Sequence, residues 1–124
     1  LWKSSKTSYD PCPVGWRVPE GCGNGFWSKA CGSSSFFDYP YDNIDGGINF
    51  SGKFGSSSVI WYPASGYRSG NDGALYYVGY YGYYWSVTPV SSLAYGLYFS
   101  YNGSVNPSSG YYRALGQAVR CLQE

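Results

Sequence analysis

The chain has 124 residues, which is room for one domain with a modest core. Eight Lys and Arg against seven Asp and Glu leave a net charge of +1, and the basic residues are scattered from Lys3 to Arg120, so no basic patch points to a nucleic-acid partner. No apolar run reaches membrane-spanning length, which argues against direct insertion, and the absence of His argues against a zinc site.

In chain order, the first recognisable segment is Asp10-Pro11-Cys12-Pro13-Val14-Gly15-Trp16-Arg17-Val18-Pro19, whose three prolines disfavour helix and leave Trp16-Arg17-Val18 as a short strand. Gly21 to Ser35 is Gly/Ser-rich around Trp27 and reads as loop with at most one helical turn. Asp38 to Gly47 is turn-rich. Its acids Asp38, Asp42 and Asp45 match no EF-hand spacing, so a solvated turn is the better reading than a calcium loop, and no metal or cofactor is expected. Ser58 to Arg68 is a strand followed by a turn, Trp85 to Val90 a second strand, and Tyr95 to Ser100 alternates cleanly, with Tyr95, Leu97 and Phe99 on one face and Gly96, Tyr98 and Ser100 on the other. Asn102-Gly103 is a type I′ hairpin signal, and Gln117 to Leu122 forms a closing strand. The expected core comprises Trp16, Trp61, Trp85, Leu97, Phe99 and Val119.

Cys12, Cys22, Cys31 and Cys121 permit three connectivities. Cys22 and Cys31 enclose a short Gly-rich loop, while a Cys12–Cys121 bond ties the two ends together, an entropic gain of about 4–5 kcal/mol. Disulfides imply an extracytoplasmic setting, and four free thiols are the alternative.

The most informative stretch runs from Gly73 to Tyr112: forty residues without one charged side chain, of which eleven are Tyr, seven Ser, six Gly and two Asn. Tyr supplies rigid, amphipathic contact area at low entropic cost, and Ser, Gly and Asn supply adaptable hydrogen bonding, the alphabet of antibody loops. A low-complexity tract is disfavoured because Trp85, Val87, Leu97 and Phe99 interrupt it at strand spacing. A wholly buried role is disfavoured too, since each buried phenol needs a partner and the pairs Tyr76-Tyr77, Tyr80-Tyr81 and Tyr111-Tyr112 would point to opposite faces of a strand.

Four ordered motifs, the Asp10 to Pro19 segment, Pro63-Ala-Ser-Gly-Tyr-Arg68, Tyr84-Trp-Ser-Val-Thr-Pro89 and Gly116-Gln-Ala-Val-Arg-Cys121, resemble a domain family of Bacteroidetes and Fibrobacter surface proteins and the variable proteins of diversity-generating retroelements. The resemblance spans nearly the whole chain. It implies an α+β, β-rich, C-type-lectin-like fold with long loops and little helix, in a single domain at the C-terminal end of a longer protein. The Gly-rich Glu20 to Trp27 segment departs from the family's helix, and the calcium signatures of sugar-binding lectins are missing. The framework motifs at both ends imply the Cys12–Cys121 bond, and a Gly-rich loop able to close points to a second bond between Cys22 and Cys31.

In such retroelements, randomised template adenines turn Asn codons into codons for Tyr, Ser, Gly, Asp and Asn. The resemblance thus implies a ligand-binding face made of Tyr76, Tyr77, Tyr80, Tyr81, Tyr83, Gly96, Tyr98, Ser100, Tyr101, Asn102, Ser108, Ser109, Tyr111 and Tyr112, set between framework residues such as Tyr84, Leu97 and Phe99. The expected function is non-enzymatic recognition of a protein or glycan receptor on another cell surface, from an extracellular, cell-surface or virion location and with multivalent display raising affinity. A structural or pilus-type domain whose tyrosine face packs on a neighbouring subunit is the alternative. An enzyme is disfavoured because nucleophile and base candidates are lacking.

Overall fold

The alternation of β8 (Leu93–Ser100) and its pairing with β7 (Tyr81–Val90) organise the molecule. In the computed structural model, which describes residues 3, 5–31, 40–51 and 60–124, these two long strands and β9 (Val105–Tyr112) form an antiparallel sheet in the order β7-β8-β9. On its inner face Gly82 sits opposite Phe99 and Tyr84 opposite Leu97. The Phe99 ring lies across Gly82 so closely that a β-carbon there would stand 2.1 Å from it. Val105, Trp27, Ile48, Phe50, Tyr62 and Ala64 complete the main core, with Leu97, Phe99, Val105, Trp27, Ile48 and Phe50 fully buried.

The remaining strands are short. A second sheet, β2 (Tyr41–Asp42), β3 (Gly47–Asn49) and β4 (Trp61–Pro63), supplies Ile48 and Tyr62 to that core. The hairpin β5 (Tyr67–Arg68) with β6 (Leu75–Tyr76) and the pair β1 (Trp16–Arg17) with β10 (Leu122–Gln123) are two residues deep. Isolated bridges from Gly66 to Gly82, Arg68 to Gly116 and Tyr84 to Ala118 stitch them to the main sheet. A single α-helix, α1 (Phe26–Cys31), is found among the described residues. Its Trp27 indole donates to the Tyr62 hydroxyl at 3.2 Å, satisfying both buried polar groups.

The Cys12–Cys121 disulfide forms, with Cα atoms 5.7 Å apart and a sequence separation of 109. Beside it Cys12, Val18 and Val87 form a second small core, with Val119 partly buried against it. The Asp10 carboxylate accepts hydrogen bonds from the amides of Cys12 at 2.8 Å and Val18 at 3.2 Å, and from Lys6 Nζ at 3.5 Å. Lys6 Nζ also donates to the carbonyls of Cys12 and Trp16, both at 2.7 Å. Burial pushes the Asp10 carboxyl up, but these donors outweigh it and hold the group below the ordinary carboxylate value.

Several expectations are corrected. The chain is not α+β: six helical residues against ten strands in four antiparallel sheets make it essentially all-β among the described residues. Cys22 and Cys31 are not joined by a disulfide. Cys31 ends α1 with its side chain in the main core, while Cys22 sits in a left-handed turn at φ 67° before the helix and neighbours the Tyr95 hydroxyl on β8, so the two thiols belong to different surroundings. Asn102-Gly103 is not a type I′ turn, because only Gly103, at φ 81°, has a positive φ; Ser100 and Ser104 close a three-residue loop of the type I plus bulge kind. Trp16 is 40% exposed and not core. Trp85 is buried, but it alternates with Tyr84 and so lies on the outer face of the sheet, away from Leu97 and Phe99. The closing strand is confined to Leu122–Gln123, and Trp61 is half-buried.

Two outcomes test this architecture. Non-reducing peptide mapping should recover Cys12 joined to Cys121, with Cys22 alkylated in the native state and Cys31 only after unfolding; replacing the bonded pair by Ala should cost about 4–5 kcal/mol, and recovery of a Cys22–Cys31 peptide contradicts the fold. Phe99→Ala and Leu97→Ala should each cost about 2–5 kcal/mol in denaturant unfolding. Gly82→Ala should also destabilise, although it only adds a methyl group, because the Phe99 ring occupies its space.

Candidate functional site: a tyrosine-lined sheet face

The outer face of the β7-β8-β9 sheet follows from the same alternation that builds the core. Tyr81, Tyr83 and Trp85 of β7 lie opposite Ser100, Tyr98 and Gly96 of β8, and Asn106, Ser109 and Tyr111 of β9 pair with Tyr98, Gly96 and Ala94. Tyr83 and Tyr98 are direct cross-strand partners with ring centroids 5.4 Å apart. Tyr81 stacks on Tyr98 at 5.8 Å, and Tyr111 meets Tyr83 edge-on at 5.4 Å and Trp85 at 6.4 Å. Such offset and edge-to-face pairs are favourable beyond their area.

Loop and hairpin residues extend this face. Tyr67 of β5 meets Tyr83 at 5.2 Å and stacks on its strand partner Tyr76 at 5.8 Å. Tyr77 packs edge-on against Tyr81 at 4.9 Å, and Tyr101, from the β8–β9 loop, meets Tyr80 and Tyr81, both at 6.1 Å. The result is one connected array of nine tyrosine rings, at positions 67, 76, 77, 80, 81, 83, 98, 101 and 111, floored at one end by Trp85.

The loop from Tyr77 to Tyr80 is tied down by backbone bonds. The amides of Tyr80 and Tyr81 donate to the Tyr77 carbonyl, Gly79 N donates to Ala64 O at 2.7 Å, and the Tyr41 hydroxyl donates to Gly79 O at 2.6 Å. Tyr77 itself has φ 60°, a left-handed backbone that a bulky residue adopts only when its surroundings enforce it. Tyr76 Oη donates to Asp72 Oδ2 at 2.9 Å, which raises its phenol pKa. At the opposite end Arg113 clamps the sheet, donating to Leu93 O at 3.0 Å and Ser91 O at 2.9 Å.

Of the fourteen residues expected to bind ligand, Tyr76, Tyr77, Tyr80, Tyr81, Tyr83, Tyr98, Tyr101 and Tyr111 are brought together, with Gly96 and Ser109 on the same face. Tyr77, Tyr80 and Tyr101 are each more than half exposed. Ser100 is buried and donates to Asn102 Oδ1, so this pair shapes the hairpin loop, where Asn102 also accepts from Ser104 N at 3.0 Å. Ser108 turns inward, because a register shift between Gly96 and Tyr98 puts it against α1, where it shares a 2.9 Å hydrogen bond with Ser28. Tyr112 alternates with Tyr111, is 71% exposed and lies outside the array. Tyr67, Trp85 and Asn106 belong to the face but were not expected there. Tyr67 sits inside a framework motif outside the charge-free stretch, and its strand pairing with Tyr76 was the missing signal. Of the acids in the Asp38 to Gly47 segment, Asp38 lies outside the described residues, and Asp42 Oδ1 accepts from Ile44 N and Asp45 N at 2.8 and 3.0 Å.

Burial is the main cause of the raised phenol pKa values of Tyr83, Tyr98 and Tyr111, with neighbouring phenols adding to it. Comparison with protein-family models, curated proteins and solved structures gives no match to this chain. The reading of the face therefore rests on its own chemistry.

That chemistry predicts an alkaline response. Because folding raises these pKa values above the unfolded phenol value of about 10, the folded state holds their protons longer, and the stability this contributes is fully present below that pH and falls as pH rises above it. An ultraviolet titration should show a group of tyrosines ionising well above the ordinary phenol range, together with loss of stability there. Ionisation of all sixteen tyrosines at the ordinary value in the folded protein would contradict the burial of the three rings.

Proposed function

We propose that the tyrosine-lined face is the recognition surface of a non-enzymatic binding domain that engages a protein or glycan receptor on another cell. The observation that carries this reading is the convergence of nine tyrosine rings on one side of one sheet, with several tips exposed and no charged side chain between Gly73 and Tyr112. Rigid aromatic anchors amid small polar residues offer contact area that loses little side-chain entropy on binding. The loop carrying Tyr77 and Tyr80 is fixed at Gly79, whose amide donates to the Ala64 carbonyl and whose carbonyl accepts from the Tyr41 hydroxyl, which supports a face organised before its partner arrives.

The composition of the face also supports targeted diversification. Residues of the set that adenine randomisation produces stand at the outer positions Tyr81, Tyr83, Gly96, Tyr98 and Ser100 of β7 and β8, while the apolar Leu97 and Phe99 hold inner ones. A near-copy of the 3′ end of the gene beside a reverse transcriptase, differing at template adenines, tests this part directly. The Cys12–Cys121 disulfide suits an oxidising, extracellular setting, and no helix among the described residues is long and apolar enough to cross a membrane.

Replacing the exposed rings Tyr77, Tyr80 and Tyr101 by Ser should change unfolding stability by no more than about 1 kcal/mol while lowering receptor binding by at least about tenfold, measured on a panel of cell-surface proteins and glycans. Binding that survives the triple substitution places recognition elsewhere. If the isolated domain instead forms stable dimers or larger species that the same substitutions dissociate, the face is a permanent packing surface.

A further inference from the structure

We propose that a cleft between Trp16, Phe26, Tyr62, Arg120 and Leu122 is a second binding site, taking a small organic anion with an aromatic or branched apolar body. The cleft has a volume of about 370 Å³, the size of small-molecule sites, and none of the nine array tyrosines lines it.

Two residues there are anomalous for a purely structural role. Trp16 is a large apolar side chain in the two-stranded β1-β10 pair and remains 40% exposed at the cleft wall. Arg120 is exposed, its guanidinium lies over the Tyr62 ring at 5.2 Å, and it has no carboxylate partner, since the ion pairs among the described residues are Lys6 with Asp10 and Arg17 with Glu20. A guanidinium keeps its charge at all relevant pH values and presents a planar fork of donors that matches a carboxylate. Held over an aromatic ring, it is oriented before an anion arrives.

The walls are equally fixed. Tyr62 accepts from the Trp27 indole and packs edge-on against Phe50 at 5.2 Å and Tyr84 at 4.9 Å. Arg120 and Leu122 flank Cys121, which the disulfide ties to Cys12. A cation, three aromatic walls and an aliphatic one thus converge on a volume suited to one ring bearing a short acid. A neutral apolar ligand leaves the guanidinium without a partner, and an inorganic anion leaves the aromatic walls unused.

Phenylacetate and its neutral isostere 2-phenylacetamide provide the test, read by amide and indole chemical shifts in NMR titrations of the whole chain. Phenylacetate should give saturable shifts centred on the Trp16 indole, Leu122 and Gln123, and 2-phenylacetamide should bind at least about tenfold more weakly. Arg120→Gln should remove that difference, Arg120→Lys should retain an acid preference, and the triple Ser substitution at Tyr77, Tyr80 and Tyr101 should leave phenylacetate binding unchanged, which separates this site from the proposed receptor face. Equal binding of acid and amide to the native protein, shifts that do not saturate, or shifts centred on the tyrosine array would overturn the proposal, and the acid-to-amide comparison decides the matter even if Arg120→Gln fails to fold.

Discussion

The pairing of β7 with β8 in a single register is the constraint on which the rest depends. Once the Phe99 ring lies across Gly82, alternate side chains of both strands are committed to opposite faces. Tyr84, Leu97 and Phe99 go to the core, and Tyr81, Tyr83 and Tyr98 go outward. A slip of one residue would bury three phenols without partners and expose Leu97 and Phe99. The apolar core is thus also what aims the tyrosine-lined face.

The other elements are too small to stand alone. Two-residue strand pairs such as β1-β10 and β5-β6 contribute few backbone bonds, and isolated hairpins of this depth are marginal in water. They persist because longer-range constraints hold them. The disulfide closes a loop of most of the chain, the Asp10 carboxylate gathers the backbone of Cys12 and Val18, and Arg113 joins the end of β9 to the β7–β8 turn. A fold with so little helix is stabilised at its periphery by cross-links and buried polar anchors, and at its centre by one hydrophobic layer.

Much of this was legible from residue order. The alternation from Tyr95 to Ser100 gave the correct faces of β8, and the charge-free stretch identified most of the tyrosine array. What could not be read was phase across irregularities. The shift between Gly96 and Tyr98 sends Ser108 inward to Ser28, and the one between Trp85 and Pro89 interrupts the alternation of β7. Trp16 was expected in the core from its place on the apolar side of a strand candidate, but it lies in a two-residue strand paired with β10, too shallow to cover it. The cysteine spacing suited a Cys22–Cys31 bond, yet α1 carries Cys31 into the core while a left-handed turn holds Cys22 beside β8, a directional fact that spacing does not encode.

The tyrosine array is connected unevenly, and this bears on how its sequence can change. Tyr81 and Tyr83 sit in the middle, each against several other rings, whereas Tyr80 and Tyr101 touch it only at its margin. Residues in contact have energetic effects that do not add, while separated ones act nearly independently. A change at Tyr83 alters the packing of Tyr67, Tyr98 and Tyr111 at once, so the effect of any one residue there depends on its neighbours. Marginal positions can be exchanged with separable effects. In the recognition role proposed for this face, its centre would shift specificity in large, context-dependent steps and its rim would tune it in small ones.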